Sequence, residues 1–123
     1  MKILIPCIII LFFALSGCYY DSQEFLYPQL NSACDTTNIT FSGSVKPILD
    51  LCLGCHSNST AASYGGNVKL ENYADIKITV DNNKLMASIN QTGPKPMPKN
   101  SAKLPDCQIT IIRKWIEAGA PNN

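Results

Sequence analysis

The sequence contains no run of basic residues and no acidic tract. Ten Lys and Arg residues stand against nine Asp and Glu, which gives a formal net charge of +1. A chain that binds nucleic acid usually carries a Lys- and Arg-rich stretch, so this composition indicates no nucleic-acid partner. Histidine is also scarce, because His56 is the only one in 123 residues. With no second histidine to act as a base and no paired carboxylates beside a motif, we expect no enzymatic activity.

The sequence also lacks a hydrophobic run long enough to cross a membrane, which needs ~20 residues. Its most apolar stretch covers only residues 3–15 and follows a single lysine. The tetrapeptide Leu-Ser-Gly-Cys, at residues 15–18, stands at the end of this stretch. This arrangement is typical of a secretory signal peptide over residues 1–17. Leu-Ser-Gly-Cys is also the pattern of a bacterial lipobox, which predicts acylation of Cys18 and anchoring to a membrane outside the cytoplasm, at the periplasmic face or the cell surface. An ordinary signal peptide cut elsewhere, or a buried hydrophobic segment, remains the alternative.

Residues 52–56 read Cys-Leu-Gly-Cys-His, the C-x-x-C-H signature for attachment of c-type haem. Two thiols at this spacing can each add to one vinyl group of the porphyrin, and the imidazole that follows them can bind the iron. The motif therefore predicts one covalently bound haem, with Cys52 and Cys55 as attachment sites and His56 as the proximal ligand. Export of the chain favours this interpretation, since c-type haem is attached outside the cytoplasm.

Three other interpretations of the motif stay open. A zinc site usually combines one C-x-x-C with a second pair of ligands, and the other cysteines lie far away in the sequence. A thioredoxin-like redox motif requires a surrounding βαβ pattern, which the sequence does not have. The simplest alternative is a structural disulfide or two buried thiols.

The remaining cysteines predict one disulfide. Cys7 would be removed with the signal peptide, which leaves Cys34 and Cys107 as an even pair in an oxidising compartment. Two free thiols are the alternative. The mature chain is long enough for one small domain, and we divide the sequence into a signal peptide (1–17), a lipidated tether and lead-in (18–40) and a domain (41–123).

The sequence predicts four helices, and in the first and the last of them apolar residues recur at helical spacing. The first helix should cover residues 41–55, be capped by Ser42 or Ser44, and carry its apolar face down to the C-x-x-C-H motif. Two short helices follow, at about 73–79 and at 84–89. The last helix should begin at residues 105–106 and end at Ala118, with Gly119 as its stop. Residues 57–67 are predicted to form a loop.

A haem in a chain with one histidine needs another residue as its second axial ligand, or keeps an open position. Met97 is the favoured candidate, because it lies between Pro96 and Pro98 on a stiff segment with four prolines in residues 93–105. Met86 lies in an apolar helical pattern, where core packing is the ordinary explanation. If neither methionine binds, the iron would be five-coordinate.

The C-x-x-C-H at the end of the first helix, the Lys-Pro-Met-Pro segment and the closing Ile-Ile-Arg-Lys-Trp-Ile-Glu-Ala-Gly-Ala resemble a class I cytochrome c domain. The chain is most similar to the small lipid-anchored monohaem cytochromes of bacterial envelopes, over residues 41–121. The resemblance implies an all-α, small cytochrome c fold in which the first and last helices cross beside the haem. It also implies thioether bonds to Cys52 and Cys55, and axial ligation by His56 and Met97. The pair Cys34 and Cys107 is absent from the best-known soluble members.

These observations together predict a monohaem c-type cytochrome that carries single electrons in the bacterial cell envelope. Its partners would be redox proteins of the envelope, and the membrane through Cys18. A haem-based sensor of small ligands or a peroxidase-like domain with an open iron site is the main alternative. A haem-free thiol module is the other.

The lipid anchor can be tested by changing one residue. Cys18→Ser removes the thiol that would be acylated, so the protein should move to soluble fractions or remain unprocessed in cell fractionation. Cys7→Ser is the control, because Cys7 is predicted to leave with the signal peptide. Equal membrane association of Cys18→Ser and the wild type would show that something else holds the protein there.

Overall fold

The computed structural model describes residues 34–123; the predicted signal peptide and most of the predicted tether lie outside this range. Within it every regular element is helical and no strand occurs, which confirms the predicted all-α class. The elements are a π-helical turn at Phe41–Val45, then α1 at Lys46–Asp50, α2 at Leu53–His56, α3 at Tyr73–Asp81, α4 at Lys84–Ile89 and α5 at Asp106–Glu117. None of these helices is both long and apolar enough to span a membrane.

The predicted first helix, residues 41–55, is present as three successive helical segments instead of one regular helix. Its opening turn is wide, because the N–H of Lys46 donates to the carbonyl of Phe41, five residues back. Pro47 has no N–H to donate and lies in the first turn of α1, where a missing donor is tolerated. A turn at residues 51–52 then separates α1 from α2. The helical path is as predicted, but its hydrogen bonding is not regular.

Side chains cap two of the helical elements. The hydroxyl of Thr40 accepts a hydrogen bond from the N–H of Gly43, so Thr40 is the N-cap of the π-helical turn. The prediction that Ser42 or Ser44 caps this helix is wrong, because the helix begins at Phe41 and both serines lie inside it. Asn72 caps α3 in the same way, with its side chain accepting from the third residue of that helix.

The three later helices agree with the sequence pattern. Helix α3 continues two residues beyond the predicted 73–79, and α4 occupies the predicted 84–89. Helix α5 ends at Glu117 with Ala118 as its C-cap, and Gly119 follows with φ of 91°. Glycine adopts this left-handed conformation without the steric cost that a side chain would add, so Gly119 is the predicted helix stop.

An aromatic cluster joins the first and last helical elements. The ring of Phe41 stacks on Trp115 with centroids 5.5 Å apart, and it meets Tyr73 edge to face at 5.1 Å. Trp115 Nε1 donates to the carbonyl of Pro121 at 2.9 Å, and the Tyr73 hydroxyl donates to the carbonyl of Ala120 at 2.7 Å. The cluster therefore fixes the segment after α5 against the π-helical turn and α3. The buried core around it consists of Phe41, Val45, Ile48, Leu49, Leu70, Ile76, Val80, Leu85, Ile89, Ile109, Ile112, Trp115 and Ala120.

The segment before the first helical turn begins beside the start of α5 and ends beside the residues that follow α5. The predicted disulfide is present: Cys34 is bonded to Cys107 at the start of α5, with their Cα atoms 5.4 Å apart. Beyond the other end of α5, Asn123 accepts hydrogen bonds from the N–H groups of Phe41 and Ser42, at 2.7 and 2.8 Å. A helix of 12 residues is ~18 Å long, and seven residues of extended chain reach ~24 Å at most. Residues 34–41 can therefore follow α5 from one end to the other.

The disulfide should contribute strongly to stability. It joins residues 73 positions apart, and the loop-entropy model assigns about 4 kcal/mol to a loop of this size. The Cys34→Ser/Cys107→Ser variant should lose a free energy of unfolding of this order in chemical denaturation. Treatment with a reductant should destabilise the wild type similarly and leave the double variant unchanged. Free, alkylatable thiols at both positions in freshly prepared wild type would contradict the assignment.

Candidate functional site

Helix α2 brings the motif side chains together on one short turn. The N–H groups of Cys55 and His56 both donate to the carbonyl of Cys52, at 3.2 and 3.0 Å. These three residues therefore lie within one helical turn. Cys52 is half-buried, Cys55 is exposed, and His56 is buried with 9% of its surface exposed. Cys52 and Cys55 are both free thiols. The alternatives of a disulfide within the motif and of two buried thiols therefore do not describe this structure.

The two thiols differ in their surroundings. Burial raises the pKa of the Cys52 thiol, and the nearby Asp50 carboxylate and Cys55 raise it further. Each of these causes disfavours the thiolate, so Cys52 remains a neutral thiol over a wider pH range than an exposed cysteine.

His56 has a fixed orientation and a defined tautomer. Its Nδ1 atom lies 2.9 Å from the carbonyl oxygen of Val68. A carbonyl oxygen can only accept a hydrogen bond, so Nδ1 carries a proton, and in the neutral imidazole Nε2 then keeps its lone pair. Nε2 makes no hydrogen bond to residues 34–123. An imidazole held through Nδ1 with Nε2 open is the usual arrangement of a histidine that ligates a metal.

The loop after the motif folds back to hold His56 in place. The N–H of Leu70 donates to the carbonyl of His56 at 2.9 Å, beside the contact between His56 and Val68. Gly66 and Asn67 both have positive φ angles, of 58° and 63°, and they reverse the chain so that it returns to the motif. Residues 57–67 form turns, as predicted, but the partner of His56 comes from Val68, which no sequence motif marked. A main-chain carbonyl leaves no signature in the sequence.

The two candidate methionines have different environments. Met86 lies in α4 and packs against the hydrophobic core. Met97 is half-buried outside that core, on the proline-rich segment, and its N–H donates to the carbonyl of Ser88 at 2.9 Å. The amide of Gln91 also reaches this segment and donates to the carbonyl of Ser101 at 3.2 Å. The backbone around Met97 is thus tied to the end of α4, while its thioether is not used in packing the core.

The donor atoms, and not a deep cavity, define the candidate site. A surface concavity of about 300 Å³ is lined by Val80, Ile116 and Ala120 among others, and a second, of about 190 Å³, lies between Lys69 and Ile78. Neither is lined by the motif side chains or by Met97. Within residues 34–123 no three His, Cys, Asp or Glu side chains converge as a metal-ion site would require. The described residues therefore offer no zinc ligand set.

Comparisons of the chain with protein-family models, with curated proteins and with solved structures found no match. The interpretation of the site therefore depends on its own residues. Among the predicted site residues, the structure places Cys52, Cys55 and His56 on one turn, and Met97 on a separate segment held by α4. Cys18, the predicted site of lipid attachment, lies outside the described residues.

Proposed function

We propose that this protein is a monohaem c-type cytochrome that carries single electrons in the bacterial cell envelope. In this proposal its all-α domain has a small cytochrome c fold, with one haem attached to Cys52 and Cys55. The observation that carries the proposal is the state of the C-x-x-C-H motif. Both of its thiols are unpaired, and its histidine is held through Nδ1 by Val68 so that Nε2 remains available.

The residues present fit such a group. Covalent attachment consumes two thiols, and neither cysteine of the motif is used in a disulfide. Cys55 is exposed and Cys52 is half-buried, so neither cysteine is fully enclosed by the protein. The hydrogen bond from Nδ1 of His56 increases the basicity of Nε2 and prevents rotation of the ring, which are both requirements of a stable proximal ligand.

Met97 is the proposed second axial ligand. Its backbone is tethered through the hydrogen bond to Ser88, and Pro96 and Pro98 restrict the chain on either side, so little conformational entropy would be lost on ligation. Met86 already has a structural role, because it packs against the core. Lys95 and Lys99 flank the same segment, but a protonated amine is a poor ligand near neutral pH.

These residues favour electron transfer over catalysis. Bound haem supplies one-electron redox chemistry, and the protein supplies ligation, burial and orientation. With His56 on one side and Met97 on the other, neither axial position would remain for oxygen or peroxide. His56 is the only histidine in the chain and is engaged by Val68, so no second imidazole is available as a general base.

An envelope location is part of the proposal. The lipobox at residues 15–18 predicts export and a membrane anchor on Cys18. The disulfide between Cys34 and Cys107 supports an oxidising compartment outside the cytoplasm, because such bonds are rare in reducing ones. The partners would then be other redox proteins of the envelope.

Covalent attachment is tested with the two cysteines of the motif. The wild type, produced in a host that matures c-type cytochromes, should retain haem on a denaturing gel stained for haem peroxidase activity. Cys52→Ser/Cys55→Ser should lose the band, because no thiol remains to form a thioether. The Cys34→Ser/Cys107→Ser variant is the matched control and should keep it. Haem staining that survives in the motif variant would end the proposal.

The choice of sixth ligand is tested with the two methionines. The oxidised wild type should show the weak near-infrared charge-transfer band of methionine-ligated ferric haem. Met97→Ala should abolish this band, lower the reduction potential and open the iron to carbon monoxide, because the thioether that favours ferrous iron is lost. Met86→Ala should leave all three properties nearly unchanged, with only a loss of stability of about 2–5 kcal/mol at most from the cavity in the packing.

Two outcomes would contradict this assignment. Loss of the band in Met86→Ala instead of Met97→Ala would show that the ligand lies on α4. A wild type that lacks the band and binds carbon monoxide readily would favour a sensor or a peroxidase-like domain with an open iron site.

A further inference from the structure

The loop that follows the motif passes close to it at Gly65. A β-carbon built on this residue would lie 2.5 Å from the carbonyl oxygen of Cys55 and 2.9 Å from Nδ1 of His56. It would also lie 3.0 Å from the Cα atom of Ala61. Side chains do not tolerate contacts this short, and two of the three neighbouring atoms belong to the main chain. Any residue other than glycine must therefore displace either this loop or the motif.

Gly65 is also connected to the group that orients His56. Its carbonyl accepts a hydrogen bond from the N–H of Val68 at 3.1 Å, and its own N–H donates to Ala61 at 3.0 Å. The carbonyl of Val68 in turn accepts the proton on Nδ1 of His56. If Gly65 were displaced, Val68 would move with it, and so would the Val68 carbonyl oxygen that orients the histidine ring.

We propose that Gly65 is a positioning residue for His56, because its bare α-carbon lets the loop close against the imidazole so that Val68 can hold Nδ1. This inference rests on the proposed function, in which Nε2 of His56 binds the haem iron. Weakening of the hydrogen bond at Nδ1 lowers the basicity of Nε2 and disfavours the ferric state relative to the ferrous state. Gly65 thereby contributes to the reduction potential without contacting the iron.

Gly54 offers a matched control. It lies inside the motif, between the two cysteines, yet a β-carbon at Gly54 would meet no atom within 4 Å. Gly66 is unsuitable as a control, because its φ of 58° would strain alanine whatever the space available. The structure therefore predicts that alanine is harmless at Gly54, inside the motif, and disruptive at Gly65, nine residues beyond its end.

Two measurements on the haem-bound protein test the role of Gly65. Gly65→Ala should raise the reduction potential relative to the wild type, and Gly54→Ala should not. In a Met97→Ala background, where the ferrous iron keeps only histidine as a protein ligand, the iron–histidine stretching band in resonance Raman spectra reports on the hydrogen bond at Nδ1. Gly65→Ala should shift this band to lower frequency, while Gly54→Ala should leave it in place. A residue that merely stabilised the fold would not shift it.

A third measurement needs no substitution at Gly65. In the reduced, diamagnetic wild type, the α-protons of Gly65 should show nuclear Overhauser contacts to the side chain of His56. If Gly65→Ala fails to accumulate, these contacts test whether Gly65 lies against His56. Their absence would overturn the proposal. Equal potentials and equal Raman bands in Gly65→Ala and Gly54→Ala would overturn it too. A wild type without covalent haem would refute the proposed function and this inference with it, so haem staining distinguishes the two failures.

Discussion

The structure depends on the burial of Trp115 between the first and last helical elements. Its indole stacks on Phe41 and donates a hydrogen bond to the carbonyl of Pro121, while Phe41 also meets the edge of Tyr73. Trp115 and Phe41 together thus connect the π-helical turn, α3, α5 and the segment after α5. Large aromatic residues contribute most per residue to a core, and in a domain this small such a cluster supplies much of the available hydrophobic burial.

The position of the motif follows from this packing. Phe41, Val45 and Leu49 face the core, and the same helical path continues through the turn at residues 51–52 to Cys52. Because the buried face is fixed, the next turn places His56 where the returning loop can hold it through Val68. The aromatic cluster and the histidine contact are therefore successive consequences of one buried helical face.

Local patterns predict part of this arrangement well. Helix α5 has a clear apolar stripe and a glycine stop, and α4 is a short apolar segment, so the apolar pattern places both helices and the glycine marks the end of α5. The first helix is less predictable, because apolar spacing describes which face is buried but not how Pro47 and the wide turn before it change the hydrogen bonding. The thiols and the imidazole of the site are visible as residue types. Val68 and Gly65 are not, because one acts through a main-chain carbonyl and the other through the absence of a side chain.

The central claim is that the C-x-x-C-H motif holds one haem through two thioether bonds. The pyridine haemochrome spectrum of the purified wild-type protein tests it most directly, because saturation of each vinyl group moves the visible α-band to shorter wavelength. We expect one haem per chain, a band at the position for two thioethers, and no extraction of haem by acidified acetone. A protein without haem, or with haem that is extracted and keeps both vinyl groups, would contradict it.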